Sequence, residues 1–526
     1  MAVDTAADRV YTPLRLLTVF RFLTVRIDRL QEEGFMSRII LAALACALIT
    51  PASVITQSSA LDAAAKTLGT AGLRSLQFTA TGQSFVLGQP PTATEPWPVR
   101  PVKSYQVFVD YGSNSMRLEQ VLTMPTPQPR GGGAPFAGEQ RQVQFVRGAF
   151  AWNEVPPAAG AQTPGVASQP AAAAERLLWM WAATPQGPIK AAAGNARVRD
   201  VANGTEVTFT VGGRYPVVAL INKMNQIERV TALLPNDVLG DMPVVTTYSG
   251  YRNFAGIQFP ARIVQTQGGH PTLDLTVSAV QTNGFVDITV PDQVRNPTAP
   301  AAVTATSQKV ADGLFWIIGG SHHSLAADMG DHIVVIEGPQ NEARSEAVLA
   351  EVKKVIPNKP IRFVVNTHVH FDHSGGLRTF VDEGATVVTH QANVAYYEKA
   401  WAAPRNLVGD RLAKSGKKAV FQSVTDRSEL KGTNNRVIEL HVLRGNPHNE
   451  QILVAWLPAE RVLFQSDMIN PPAPNAPVPP PTPTITNFAE NLTRLKIVPE
   501  QIVGGHGGRI ATRADLNAVT GKAGTN

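Results

Sequence analysis

At 526 residues, the chain is long enough for two or three domains and too long for a single small binding module. Hydrophobic residues make up 44% and charged residues 17%, which excludes a disordered charged polymer, because enough apolar surface is present to offset the entropy of ordering. The formal charge of +6 is spread without a Lys/Arg block, so no nucleic-acid partner is expected, and a lone cysteine, Cys46, excludes disulfides and cysteine-ligated zinc within one chain.

The 42 Gly and 40 Pro imply many turns between short strands rather than a helical bundle. Residues 1–60 read as an N-terminal extension and a signal peptide. Residues 1–35 mix five Arg with five acids, whereas Met36 opens a short basic stretch, an apolar core at 39–49 and small residues ending in Ser58-Ser59-Ala60. Translation is therefore expected to start at Met36, with cleavage near Ala60 and export to the periplasm or medium. The apolar core is shorter than the roughly 20 residues a bilayer requires, so no permanent membrane span is expected.

Residues 61–300 form the next unit and are expected to be β-rich. Segments 76–87, 105–110, 116–123, 142–152, 206–211, 226–234, 244–251, 257–266 and 272–280 alternate apolar and polar residues between turn formers, the period-two pattern of antiparallel strands. Helical patches are read at 60–68 and 171–183, and loops at 124–138 and 155–170. The segment 246–264, a hairpin around Gly-Ile-x-Phe-Pro, resembles part of the half-barrel of periplasmic lipoprotein carriers. That resemblance implies an apolar ligand on the sheet's concave face.

The Pro-rich stretch 291–305 marks a boundary, and 306–526 changes character. Strands at 313–318, 332–336, 361–366, 385–389, 437–443, 451–457 and 461–465 alternate with helices at 341–355, 374–381 and 393–402, which gives an α+β class overall. Between a strand and a helix stands Thr367-His368-Val369-His370-Phe371-Asp372-His373-Ser374-Gly375-Gly376. On extended chain His368 and His370 point the same way and reach one metal, while the turn at Asp372 and His373 redirects those two towards a neighbouring site. Gly375 and Gly376 are expected to let the backbone turn tightly into the helix.

This run, with His448, Asp467 and His506 following in order, resembles the metallo-β-lactamase-fold hydrolase superfamily over about 307–515 and matches its HxHxDH signature. The resemblance implies a C-terminal αββα sandwich in which His368, His370 and His448 hold one metal, Asp372, His373 and His506 the other, and Asp467 bridges. It places Ile336-Glu337-Gly338 where the superfamily commonly has Asp-x-Gly, so the carboxylate is kept on a longer arm. Imidazoles and carboxylates suit Zn²⁺, and iron or manganese fit the same donors. Two zinc ions would share a hydroxide able to cleave an ester, lactone or cyclic amide of a small-molecule substrate, with Asp372 passing a proton to the leaving group. The alternatives are a single-iron persulfide dioxygenase-like enzyme of the same fold, and a non-catalytic lipid-binding protein of the envelope. His322 and His323 are read equally as pocket-lining or as surface residues, and His270, His332, His390 and His441 as structural. The chain runs only 20 residues past His506, without the helical domain of glyoxalase II-like thioesterases, and the stiff Pro-rich stretch 470–484 is expected to wall the site instead.

Overall fold

The computed structural model describes residues 59–521, apart from 134, 159–160, 193–195, 298–300 and 474–475. The expected signal segment at 36–58 lies outside the described residues. No helix among those described is long and apolar enough to cross a membrane.

A 13-stranded antiparallel sheet is built entirely from residues 75–282 as two meanders. One runs outward from Ser75–Phe85 to the edge strand Gly165–Ser168, the other from His270–Thr282 back to the edge strand Arg197–Val201. Their innermost strands pair with each other, Leu76 opposite Thr282. Alternation turns Phe78, Ala80, Val107, Val109, Phe259 and Leu275 to one face. Leu61, Ala64 and Leu68 of the helix Ser59–Leu68, Leu178 and Met180 of Ala173–Ala182, and Ile189 of Gln186–Ala191 pack in the same core. One apolar face of the sheet is thus covered in large part by the protein's own helices.

Three local expectations need correction. The segment 142–152 is a hairpin of Glu139–Arg147 and Phe150–Val155, turned at Gly148, where φ is +55°. The expected loop 155–170 carries the edge strand Gly165–Ser168. Tyr215–Asn222 is a strand that alternation does not reveal, because its Pro-Val-Val-Ala-Leu-Ile core is continuously apolar.

Residues 306–512 form two further sheets. One has seven strands, antiparallel from Thr306–Ala311 to Ile333–Ile336 and then parallel through Ile361–Val365 and Thr386–His390 to Phe421–Val424. The other has six, from Arg427–Lys431 to Ala511–Thr512, with Val462–Gln465 and Gln501–Gly504 parallel. Strands covered on both faces read as continuous apolar runs, and Ile333–Ile336 shows why. Val334 and Ile336 join the core between the sheets with Leu440, Ala455 and Phe464, while Ile333 and Val335 pack with Val348, Val352 and Phe380 of the helices Glu342–Val355 and Leu377–Glu383. On the far side, Phe488, Leu492 and Leu516 of Pro483–Leu495 and Arg513–Val519 cover the second sheet. The result is an αββα sandwich.

The helix read at 374–381 is two pieces, Phe371–Ser374 and Leu377–Glu383. Gly375 and Gly376 separate them with ordinary negative φ values of −62° and −97°. They are required by closeness rather than by backbone freedom: a Cβ on Gly375 would stand 1.8 Å from the Gln340 carbonyl oxygen.

Candidate metal centre

The seven residues named from the sequence come together at one edge of the sandwich, where several strands end. His368 and His370 follow Ile361–Val365, Asp372 and His373 sit in the single turn Phe371–Ser374, and His448 lies between Val437–Val442 and Leu453–Leu457. Asp467 and His506 follow the parallel strands Val462–Gln465 and Gln501–Gly504. His368 Nε2 stands 2.9 Å from His370 Nδ1 and 3.3 Å from His448 Nε2. His373 Nε2 is 3.1 Å from His506 Nε2, and Asp467 lies between the groups, 3.0 Å from His373, 3.1 Å from His506 and 3.4 Å from His368.

Hydrogen bonds on the outward side assign the ring tautomers. His370 Nε2 faces the Pro90 carbonyl at 2.9 Å, His373 Nδ1 faces Glu337 Oε2 at 2.8 Å, and His506 Nδ1 faces the Ser321 carbonyl at 2.9 Å. His368 Nδ1 is 2.9 Å from Thr367 Oγ1, whose own hydrogen goes to Ser466. Each outward nitrogen therefore donates, which leaves the inward nitrogens of His368 and His370 a lone pair each, facing one another. Asp467 Oδ2 is buried and faces no donor other than the imidazoles of the centre. Among the described residues, Asp372 and Asp467 form ion pairs with histidines alone, never with Lys or Arg. Convergent lone pairs and a buried carboxylate that faces imidazoles alone are what a cation would satisfy, so the donor set fits metal ions.

The electrostatics agree at His368 and His370, whereas His373 keeps a second proton towards Asp467 that a bound ion would displace. Burial lowers the His368 and His370 imidazoles, the latter to about 3, with neighbouring imidazoles adding to the effect, so both are neutral. Burial opposes charge on Asp467 and Asp372, yet the imidazoles facing them hold both carboxyls below the ordinary range. At His373, burial is overcome by Asp467, Glu337 and Asp372, which raise the imidazole well above its usual value.

The loop is held by groups that sequence reasoning did not single out. Asn366, fully buried, donates to the carbonyls of His368 and His373 and accepts from the hydroxyls of Thr389 and Tyr397. Glu337 does keep its carboxylate on the longer arm, bonding His373 through Oε2 and the Thr367 amide through Oε1 at 3.0 Å. The β-rich part also reaches the site: Gln89 Nε2 donates to Asp372 Oδ1 at 2.8 Å, and the Pro90 carbonyl accepts from His370 and from Asn449. Gly132 packs so tightly there that a Cβ would lie 1.8 Å from Gln89 Oε1 and 2.6 Å from His370 Cε1. In the sequence, 88–91 shows only a Gly-Gln-Pro-Pro turn.

Neither member of the His322-His323 pair is a surface residue, as both are buried. His323 bonds the Gly507 carbonyl at 2.9 Å and packs edge-on against Trp316, whereas His322 Nε2 stands 3.2 Å from Asp372 Oδ2 within the centre. Of the remaining histidines, His390 caps the helix Gln391–Trp401, His332 and His441 pair with Asp331 and Glu439, and His270 stacks on Trp97. At the Pro-rich stretch, Asn470 and Pro471 border Gly507, next to His506, while residues 476–481 are exposed.

The fold and the centre define the class. Residues 337–506 match the family model described as the Metallo-beta-lactamase superfamily, and the C-terminal region has that fold. Similar solved structures include a metallo-beta-lactamase from Pontibacter korlensis, at 15% identity over 41% of this chain and 96% of that one, with a TM-score of 0.32. A metallo-beta-lactamase from Hirschia baltica is 20% identical over 41% and 96%, with a TM-score of 0.31. Rubredoxin oxygen:oxidoreductase from Desulfovibrio gigas is 18% identical over 40% and 58%, with a TM-score of 0.33. No curated protein matched the chain.

Proposed function

We propose that the protein is an exported, metal-dependent hydrolase acting on a small ester, lactone or cyclic amide. The observation that carries this reading is the convergence of six ligand side chains about Asp467, whose buried Oδ2 faces no donor other than the imidazoles of the centre. His368, His370 and His448 would hold one ion, Asp372, His373 and His506 the other, and Asp467 would lie between. Ions bound there, with zinc the best match to the donors, would polarise a substrate carbonyl and lower the pKa of a water towards about 7.

The chain's own residues do the rest. The imidazoles held by Pro90, Glu337, Thr367 and Ser321 keep their other nitrogens aimed inward. Asp372 is held as an anion, so as a proton carrier it takes up a proton before passing one to a leaving group. Arg130 pairs with both Glu95 and Glu450, which leaves one net negative charge near the Gln89 side of the rim. A neutral substrate suits that border better than a nucleotide does.

The test is a substrate panel on purified protein reloaded with zinc, with metal content measured alongside. Ester, lactone or lactam turnover that disappears in a chelator and in His370→Ala, together with two zinc ions per chain, is expected. Cleavage of phosphodiesters or glutathione thioesters alone would overturn the substrate assignment, a single iron would point to the dioxygenase, and a metal-free chain would point to a binding protein. Export is checked by N-terminal sequencing of protein recovered from the envelope: a start near Ala60 is expected, and an intact Met1 in the cytoplasm would refute it.

A further inference from the structure

We infer that His322 is a further metal donor, its Nε2 joining Asp372, His373 and His506 around the second metal position. This rests on the reading that the centre holds metal ions at two positions. His322 lies on the turn between Leu314–Ile318 and Ser324–Asp328, far in sequence from the HxHxDH run.

Three observations carry it. First, His322 Nε2 is 3.2 Å from Asp372 Oδ2, and the ligand nitrogens and oxygens of His322, Asp372, His373 and His506 all lie within 4.8 Å of one another. Neighbouring donors on one ion at about 2.0–2.2 Å stand roughly 2.8–3.5 Å apart, from six-coordinate to tetrahedral geometry, so this edge matches those inside the groups already described. The ring spacing agrees: the His322 centroid is 4.2 Å from His506 and 5.2 Å from His373, against 4.3, 4.6 and 5.1 Å among His368, His370 and His448.

Second, the imidazole is held as a ligand is held. Its Nδ1 is 2.8 Å from Ser321 Oγ, which also receives the Gln340 amide. The buried Arg344 guanidinium grips the His322 carbonyl with two N–H groups, at 3.0 and 3.3 Å. The Ser321 carbonyl meanwhile orients His506, so one dipeptide sets two imidazoles. Groups that fix the far nitrogen and the backbone of a histidine determine which lone pair points inward. Third, the orientation of Asp372 does not depend on His322, because Gln89 already donates to its other oxygen at 2.8 Å.

Cobalt(II) is the probe, read by its binding and spectra rather than by turnover. In the full chain loaded with two cobalt ions, each bound imidazole contributes one paramagnetically shifted, solvent-exchangeable N–H proton resonance. Six such resonances are expected, from His322, His368, His370, His373, His448 and His506; five on two bound ions would overturn this inference alone. This readout needs no variant. His322→Ala is expected to weaken binding of the second cobalt at least tenfold and to alter its visible absorption. His322→Gln, which keeps an N–H donor for Asp372, should not restore wild-type affinity and spectrum. If it does, or if the alanine variant binds and absorbs as wild type, His322 is only a hydrogen-bond partner. A chain that takes up fewer than two cobalt ions overturns the two-metal reading and this one with it.

Discussion

Glu337 closes the strand Ile333–Ile336 in a left-handed conformation, with φ of +78°, and its side chain is fully buried. Such a backbone costs on the order of 1–2 kcal/mol for a residue other than glycine and persists only where its surroundings impose it. Here the imposed bonds are those to His373 Nδ1 and to the Thr367 amide, which tie the acid to both ends of the His-rich loop. Glu337→Gln keeps the volume but removes the anion behind His373, so metal affinity at the second position should fall about 10- to 100-fold while the fold survives. A chelator competition titration checks this, and unchanged affinity would show that the carboxylate serves only the loop.

Among the elements, the helix Arg513–Val519 shows how local chemistry closes the sandwich. Thr512 and Asp515 form a capping box, and Asp515 also pairs with Arg509, three residues beyond His506. That pairing, opposed in part by burial, lowers the Asp515 carboxyl to about 2. A carboxyl depressed on folding contributes stability that is present above its unfolded pKa of roughly 4 and is lost as pH falls towards 2. Asp515→Asn should therefore cost about 1 kcal/mol at neutral pH and almost nothing near pH 2, so wild type and variant melting temperatures converge on acidification. Thermal melts from pH 2 to 7 test the sign, and a difference independent of pH would mean that the cap acts without its charge.

At the scale of the whole molecule, two of the contacts between the β-rich part and the sandwich among the described residues matter most. One is the metal centre, through Gln89, Pro90 and Gly132. The other is the turn at 236–241, where buried Asp241 accepts from the amides of Asn406 and Leu407 and its own amide donates to the Pro404 carbonyl. Arg405 returns the contact by donating to the carbonyls of Asn236, Asp237 and Val238. Asp241→Ala removes the carboxylate that accepts from these two amides, and about 1–3 kcal/mol of stability should be lost. Calorimetry is expected to show one transition at a lower temperature; two separated transitions would mean that the seam alone couples the two parts.

What could be read from the chain alone was whatever depends on short spacing. Period-two alternation shows most strands of the large sheet, and a run of six residues places three imidazoles and a carboxylate past the end of a buried strand, because strand and turn geometry act over a few residues. His448, Asp467 and His506 stand out by resemblance, each beside a recognisable strand. Tertiary structure alone decided which distant groups complete the centre. Pro90 meets His370 from 280 positions away and Gln89 meets Asp372 from 283, and neither segment carries more than a turn signal. His322 reads from sequence as either pocket or surface, and the fold resolves it by the Arg344 grip that turns its ring inward. The physical reason is the same in each case: backbone periodicity is written locally, whereas a contact between segments that fold back on each other depends on how whole sheets pack.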